Sequence, residues 1–146
     1  MLYLERKKDE VRVFVYNTKI KFSNCDPAGV IYFAEVFNLA HETYELFLLN
    51  NKTKVDYFIS NEIALPIIKA ESLFTSAISL HDDIKIELRV LEIRESSYEI
   101  EYKIIGDDER IKAKVKTVHV CIGKGDRSKV SIPPDLAMYL NEHLAE

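Results

Sequence analysis

The chain has 146 residues, 47% of them hydrophobic and 30% charged, with only four glycines and four prolines, which predicts one ordered domain over residues 1–146 and excludes a disordered or two-domain chain. Its 24 acidic and 20 basic residues are mixed along the sequence for a net charge of −4, so no basic block is available to follow a phosphate backbone, and no nucleic-acid partner is expected. No apolar run approaches the roughly 18 to 20 residues of a membrane span, the charged run Glu5–Glu10 leaves no room for a secretion signal, and the isolated Cys25 and Cys121 suit reduced thiols rather than a disulfide or zinc site; a cytoplasmic protein without membrane insertion is expected.

In chain order, Val11 to Phe22 is rich in β-branched and aromatic residues, with Val11, Val13 and Val15 on one parity, and predicts a first strand. Ser23-Asn24-Cys25-Asp26-Pro27-Ala28-Gly29 then reads as a loop, because Asn, Asp, Pro and Gly all favour turn geometry. From Val30 to Leu49 there is no Pro or Gly, and Phe33, Val36, Phe37, Ala40, Tyr44, Phe47 and Leu48 recur at helical spacing. This predicts the longest helix of the protein, mostly buried. A short helical turn is expected over Val55 to Asn61, and extended chain over Ile63 to Ala77 around Pro66.

Strands are predicted at Ile84 to Ile93, Tyr98 to Ile105 and Arg110 to Ile122. Pairing Ile105 with Arg110 across Gly106-Asp107-Asp108 sets Glu101 opposite Lys114 and Glu99 opposite Lys116. The same register sets Tyr98, Ile100 and Tyr102 opposite Thr117, Val115 and Ala113, separating charged from apolar faces. Lys112, Lys114 and Lys116 thus read as a solvated sheet face in preference to a phosphate-binding stripe. After Pro133-Pro134, Asp135 to Leu144 predicts a closing helix. One apolar helix followed by antiparallel strands is an α+β solution, a sheet curved around the helix.

The segment with chemical content is Phe22 to Phe33, where a strand end, a turn and a helix entry meet. A helix entry offers unpaired N–H groups and a positive dipole end, both suited to a developing oxyanion. The Asp26 carboxylate beside it could attack a carbonyl or deprotonate water. On the residues alone, Asp26 reads first as an Asx-Pro turn or a helix cap. His41 and Glu45 share a helix face at i and i+4 and read first as a structural pair. No constellation surrounds His81 or His119, and Ser23, Ser72 and Ser76 lack the setting of a nucleophile elbow.

The string Asp26-Pro27-Ala28-Gly29-Val30-Ile31-Tyr32-Phe33, between a first strand and a long helix, resembles the signature of the hydroxybenzoyl-CoA thioesterase branch of the hot-dog enzymes. Leu65-Pro66-Ile67 and Thr117 to Ile122 also look like family elements, so the resemblance spans nearly the whole chain. It implies a hot-dog fold, a curved antiparallel sheet wrapped around one central helix, and hydrolysis of an acyl-CoA thioester without metal or cofactor. By position, it makes Asp26 the nucleophile or base and gives the Phe33 main-chain N–H the role of polarising the carbonyl. It also implies a homodimer or homotetramer binding substrate between subunits.

His41-Glu42-Thr43-Tyr44-Glu45 resembles the subgroup acting on dihydroxynaphthoyl-CoA in phylloquinone and menaquinone biosynthesis. An aromatic acyl group is then expected, with Tyr32, His41 and Glu45 as substrate contacts. Asn24 stands where the hydroxybenzoyl-CoA enzyme has a second Asp, and the basic run near the CoA phosphates is reduced to Arg94, leaving Lys124 and Arg127 as further CoA-binding candidates. The alternatives are a short-chain acyl-CoA thioesterase and a non-catalytic acyl-CoA-binding module.

Overall fold

The structure, a computed structural model, describes residues 3–8, 11–51, 55–60 and 62–145, with side chains from Arg12 onward. Tyr3–Lys8 (β1) pairs antiparallel with Val11–Lys19 (β2), a first strand that the charged Glu5–Lys8 run gave no reason to expect. Strand β2 is shorter than predicted, since Phe22–Asn24 winds into a 3-10 turn. The long helix α1 spans Glu35–Leu49 and starts five residues later than its apolar spacing suggests. The physical reason is that Val30 and Ile31 bridge to Ser79 and Cys25, and the Ile31 N–H donates to the Ile78 carbonyl at 2.7 Å. Those residues close the loop and are unavailable to the helix.

Beyond α1 a turn at Tyr57–Ile59 is fixed by the Asp56 side chain, which accepts the Phe58 N–H; the end of the predicted turn, Asn61, lies outside the described residues. Ile63–Ala64 (β3) and Ile67–Phe74 (β4) flank Pro66, and Asp83–Ile93 (β5), Ser97–Gly106 (β6) and Ile111–Val120 (β7) follow. Ile122–Gly123 (β8) pairs with β3 in a small second sheet, and Pro134–Glu142 forms α2, with Pro134 in its first turn. The main sheet runs β1-β2-β5-β6-β7-β4, antiparallel throughout. Strand β4 is therefore an edge.

Period-two alternation decides which face is buried. Ile84, Ile86, Leu88 and Val90 of β5, with Tyr98, Ile100, Tyr102 and Ile104 of β6, point inward, and the residues between them stay partly exposed. Helix α1 lays Val36, Leu39, Ala40, Tyr44, Phe47 and Leu48 against this face, the i, i+3, i+4 stripe of an amphipathic helix. Phe47 is wholly buried and meets Phe14 edge to face; truncating it to alanine costs about 3–5 kcal/mol by the usual large-to-small rule.

The β6–β7 hairpin corrects the predicted register. Glu101 faces Lys116, Lys103 faces Lys114, Tyr102 faces Val115 and Tyr98 faces His119. The connection is longer than assumed: Gly106 N–H donates to the Arg110 carbonyl, Glu109 takes a left-handed conformation, and a bulge follows Ile104. Ile111, not Arg110, stands opposite Ile105. A slip of two residues preserves parity, so both faces survive while the partners change.

Candidate active site

The loop from Asn24 to Phe33 is knotted by its own backbone. Asp26 N–H donates to the Val30 carbonyl at 2.9 Å, Gly29 N–H to the Asp26 carbonyl at 3.0 Å, and Tyr32 N–H to the Asn24 carbonyl at 2.8 Å. Gly29 sits at φ +79, where a side chain would be strained. The Asp26 carboxylate accepts the Ala28 N–H on Oδ1 at 2.8 Å. This is the Asx turn that the residues alone allowed, and it uses one oxygen. The other, Oδ2, has no hydrogen-bond partner among the described residues.

Phe33 lies in a turn two residues ahead of α1 rather than at the helix start. Its N–H has no acceptor among the described residues, so one loop carries both a fixed carboxylate and an unpaired donor. Phe33 and Tyr32 are exposed and lean on each other at 4.9 Å between centroids. Phe33 also lines an apolar hollow of about 390 Å³ with Val30, Ala77, Ile78 and, from the far end of β4, Phe74.

A larger cavity of about 620 Å³ opens beside the other end of β4. Tyr44, Tyr57, Phe58, Leu65 and Pro66 wall it, while His41, Lys124 and Arg127 are at its edge. Three residues singled out from sequence thus meet at one cavity. Lys124 and Arg127 are exposed and ride on a loop tied by the Asp126 carboxylate, which accepts the Ser128 N–H and hydroxyl. Arg94 sits apart in the β5–β6 turn, its Nη2 donating to Glu92 at 2.7 Å. His41 and Glu45 form no ion pair with each other among the described residues, contrary to the pairing expected; both line a polar groove that reaches Asn24 and Glu35.

Sequence reasoning missed His119. It is fully buried, stacked on Tyr44 at 4.3 Å and on Tyr98 at 5.0 Å between centroids, and the two tyrosine hydroxyls are bonded to each other. Its Nδ1 lies 3.4 Å from the Leu65 carbonyl and its Nε2 2.9 Å from Thr117 Oγ1. A carbonyl only accepts, which assigns the proton to Nδ1 and makes Nε2 the acceptor of the Thr117 hydroxyl. Burial, with a smaller contribution from nearby His41, pushes the ring's pKa down to about 4. His119 therefore fixes two walls of the large cavity, Tyr44 by stacking and Leu65 by a hydrogen bond. The signal was available: Thr117 and His119 are polar residues on the inward parity of a strand whose other inward residues are Ala113 and Val115.

No helix among the described residues is long and apolar enough to cross a membrane. Residues 20–140 match the model of the thioesterase-like superfamily. A 1,4-dihydroxy-2-naphthoyl-CoA hydrolase of Microcystis aeruginosa is 34% identical over 126 residues, 86% of this chain and 91% of that protein. One of Nostoc punctiforme is also 34% identical, over 87% of this chain and 86% of its own. The crystal structure of a 1,4-dihydroxy-2-naphthoyl-CoA thioesterase from Synechocystis superposes with a TM-score of 0.82 at 25% identity, covering 88% of this chain and 96% of that one.

Proposed function

We infer that this chain, which belongs to the thioesterase-like superfamily, is an acyl-CoA thioesterase that hydrolyses an aromatic ester, 1,4-dihydroxy-2-naphthoyl-CoA, on the route to phylloquinone or menaquinone. The observation that carries the chemistry is the Asn24–Phe33 loop, with the Asp26 carboxylate held by one oxygen and the Phe33 N–H left open. In this reading the thioester carbonyl accepts the Phe33 N–H, and the negative charge that grows on its oxygen is met by that donor close to the positive end of α1. The free Asp26 oxygen either attacks the carbonyl carbon or takes the proton of an attacking water, and both routes need the carboxylate unprotonated. By the first route the CoA thiolate leaves an acyl–Asp26 anhydride, which water then cleaves to the aromatic acid and the regenerated carboxylate; by the second the thiolate leaves as the water oxygen bonds the carbonyl carbon, and the acid is released directly.

The acyl group needs a wall, and the topology supports supplying it from a second copy. Strand β4 is an edge with Ile68 and Leu73 exposed by 63% and 62%, the kind of edge that pairs with another chain. Antiparallel pairing of β4 with its copy about a two-fold sets the Phe74 end of one strand beside the Ile67 end of the other. The hollow at Phe33 and Phe74 then meets the partner's large aromatic cavity, where stacking favours a flat acyl group and His41 can reach its hydroxyls. Lys124 and Arg127 give that cavity a cationic edge for the anionic groups of CoA. A homodimer, alone or doubled into a tetramer, in the cytoplasm completes this reading, and the unpaired Cys25 and Cys121 suit a reducing compartment.

Thiol release from a panel of esters tests it. A kcat/KM for 1,4-dihydroxy-2-naphthoyl-CoA well above those for acetyl-, butyryl- and palmitoyl-CoA is expected. Equal turnover of a short aliphatic ester overturns the quinone-pathway assignment and leaves the thioesterase standing; no turnover of any ester leaves a binding module.

A further inference from the structure

Three pieces of chain meet around Asp26: the 3-10 turn, the loop and the first turn of α1. Asn24 touches all three. Its Oδ1 accepts the Lys21 N–H at 2.8 Å, its carbonyl accepts the Tyr32 N–H at 2.8 Å, and its Nδ2 donates to Glu35 Oε2 at 3.3 Å. The same Glu35 oxygen accepts Asn38 Nδ2 at 3.1 Å. Glu35 is the first residue of α1, where the helix dipole favours a carboxylate.

Asn24 is two residues before Asp26, and Tyr32 is one before Phe33. The Asn24 contacts therefore fix the spacing between the carboxylate and the open N–H, and Glu35 anchors those contacts to the helix. We propose that Glu35 is a positioning residue of the thioesterase reaction, acting through Asn24 to hold Asp26 and the Phe33 N–H at working distance; the proposal rests on the active-site reading above.

The polarity of the clamp is specific. Lys21 N–H needs an acceptor and Glu35 needs a donor, and a primary amide supplies both from one side chain. An aspartate at position 24 would instead set two carboxylates about as close as the present hydrogen bond, where like charges repel. This gives a physical reason for asparagine at 24 once glutamate stands at 35.

The test is steady-state kinetics on 1,4-dihydroxy-2-naphthoyl-CoA with Glu35→Ala, Glu35→Gln, Asn24→Asp and the double variant Asn24→Asp/Glu35→Gln, each checked for native thermal unfolding, with Asp26→Asn as control. Displacement of a reacting group by about an ångström costs up to about a hundredfold. We expect Glu35→Ala to lose about tenfold or more in kcat with KM nearly unchanged, and Glu35→Gln, which still accepts both amides, to stay within about twofold of the parent. Asn24→Asp should fall like Glu35→Ala. The double variant should recover, because its amide at position 35 then donates to its carboxylate at position 24. Parent-like kcat in Glu35→Ala, or no recovery in the double variant, overturns the positioning role. If Glu35→Ala does not fold, the comparison of Asn24→Asp with the double variant decides alone. An Asp26→Asn variant as active as the parent instead removes the site reading itself, which separates the two failures.

Discussion

In the proposed mechanism Asp26 carries the chemistry, whereas His119 serves the scaffold. Asp26→Asn keeps the Asx turn, because an amide oxygen still accepts the Ala28 N–H, and removes the charge; turnover should fall at least about a hundredfold with the fold intact. His119 is read through stability. Its pKa is about 4 in the folded chain and 6.5 in the unfolded one, so above pH 6.5 both states hold a neutral ring and nothing is lost. As pH falls from 6.5 towards 4 the unfolded chain binds a proton that the buried ring refuses, and stability drops by roughly 2–3 kcal/mol. His119→Gln should flatten that part of the pH dependence in urea unfolding; an unchanged slope would place the loss elsewhere. Asp26 was legible because its loop is contiguous in sequence. The inward parity of His119 was legible too, but its setting was not, since its partners Tyr44, Leu65 and Tyr98 are distant in the chain and only the fold assembles them.

The elements were legible wherever a period could be read and lost where contacts across the chain decided. Strands β5, β6 and β7 were found within a residue or two, because alternation is a local property. The start of α1 lies later than the spacing suggests, because Val30 and Ile31 are as apolar as helix residues, while Val30 bridges to Ser79 and Ile31 bridges to Cys25 and donates its N–H to the Ile78 carbonyl, two of these three partners lying far along the chain. Register was likewise beyond reach, since a two-residue slip leaves the pattern identical. Charge reversal distinguishes the registers. Lys116 stands between Glu71 and Glu101, whereas Lys114 stands between Leu73 and Lys103. Lys116→Glu should lower the urea midpoint by an amount equivalent to about 1 kcal/mol, and Lys114→Glu should leave it unchanged or raise it. The predicted register, with Lys114 opposite Glu101, requires a loss from both.

At the scale of the whole molecule, the bare β4 edge separates the two halves of the proposed pocket, since the hollow at Phe33 and the aromatic cavity lie at opposite ends of one strand. Charging that edge with Ile68→Lys and Leu73→Lys should give a species with the mass of a single chain by light scattering, folded but inactive; full activity in such a monomer would remove the shared pocket. In the proposed dimer each pocket takes its carboxylate from one chain and its aromatic walls from the other, so two differently broken copies can repair one another. An Asp26→Asn chain and an Ala64→Trp chain, whose new side chain fills the large cavity, are each inactive alone. Unfolded together and refolded as a mixture, they form hybrids with one pocket doubly damaged and one pocket intact. About a quarter of the parental activity then returns, half from each hybrid and half of all dimers being hybrid; in a cell carrying both alleles, two dead genes would complement.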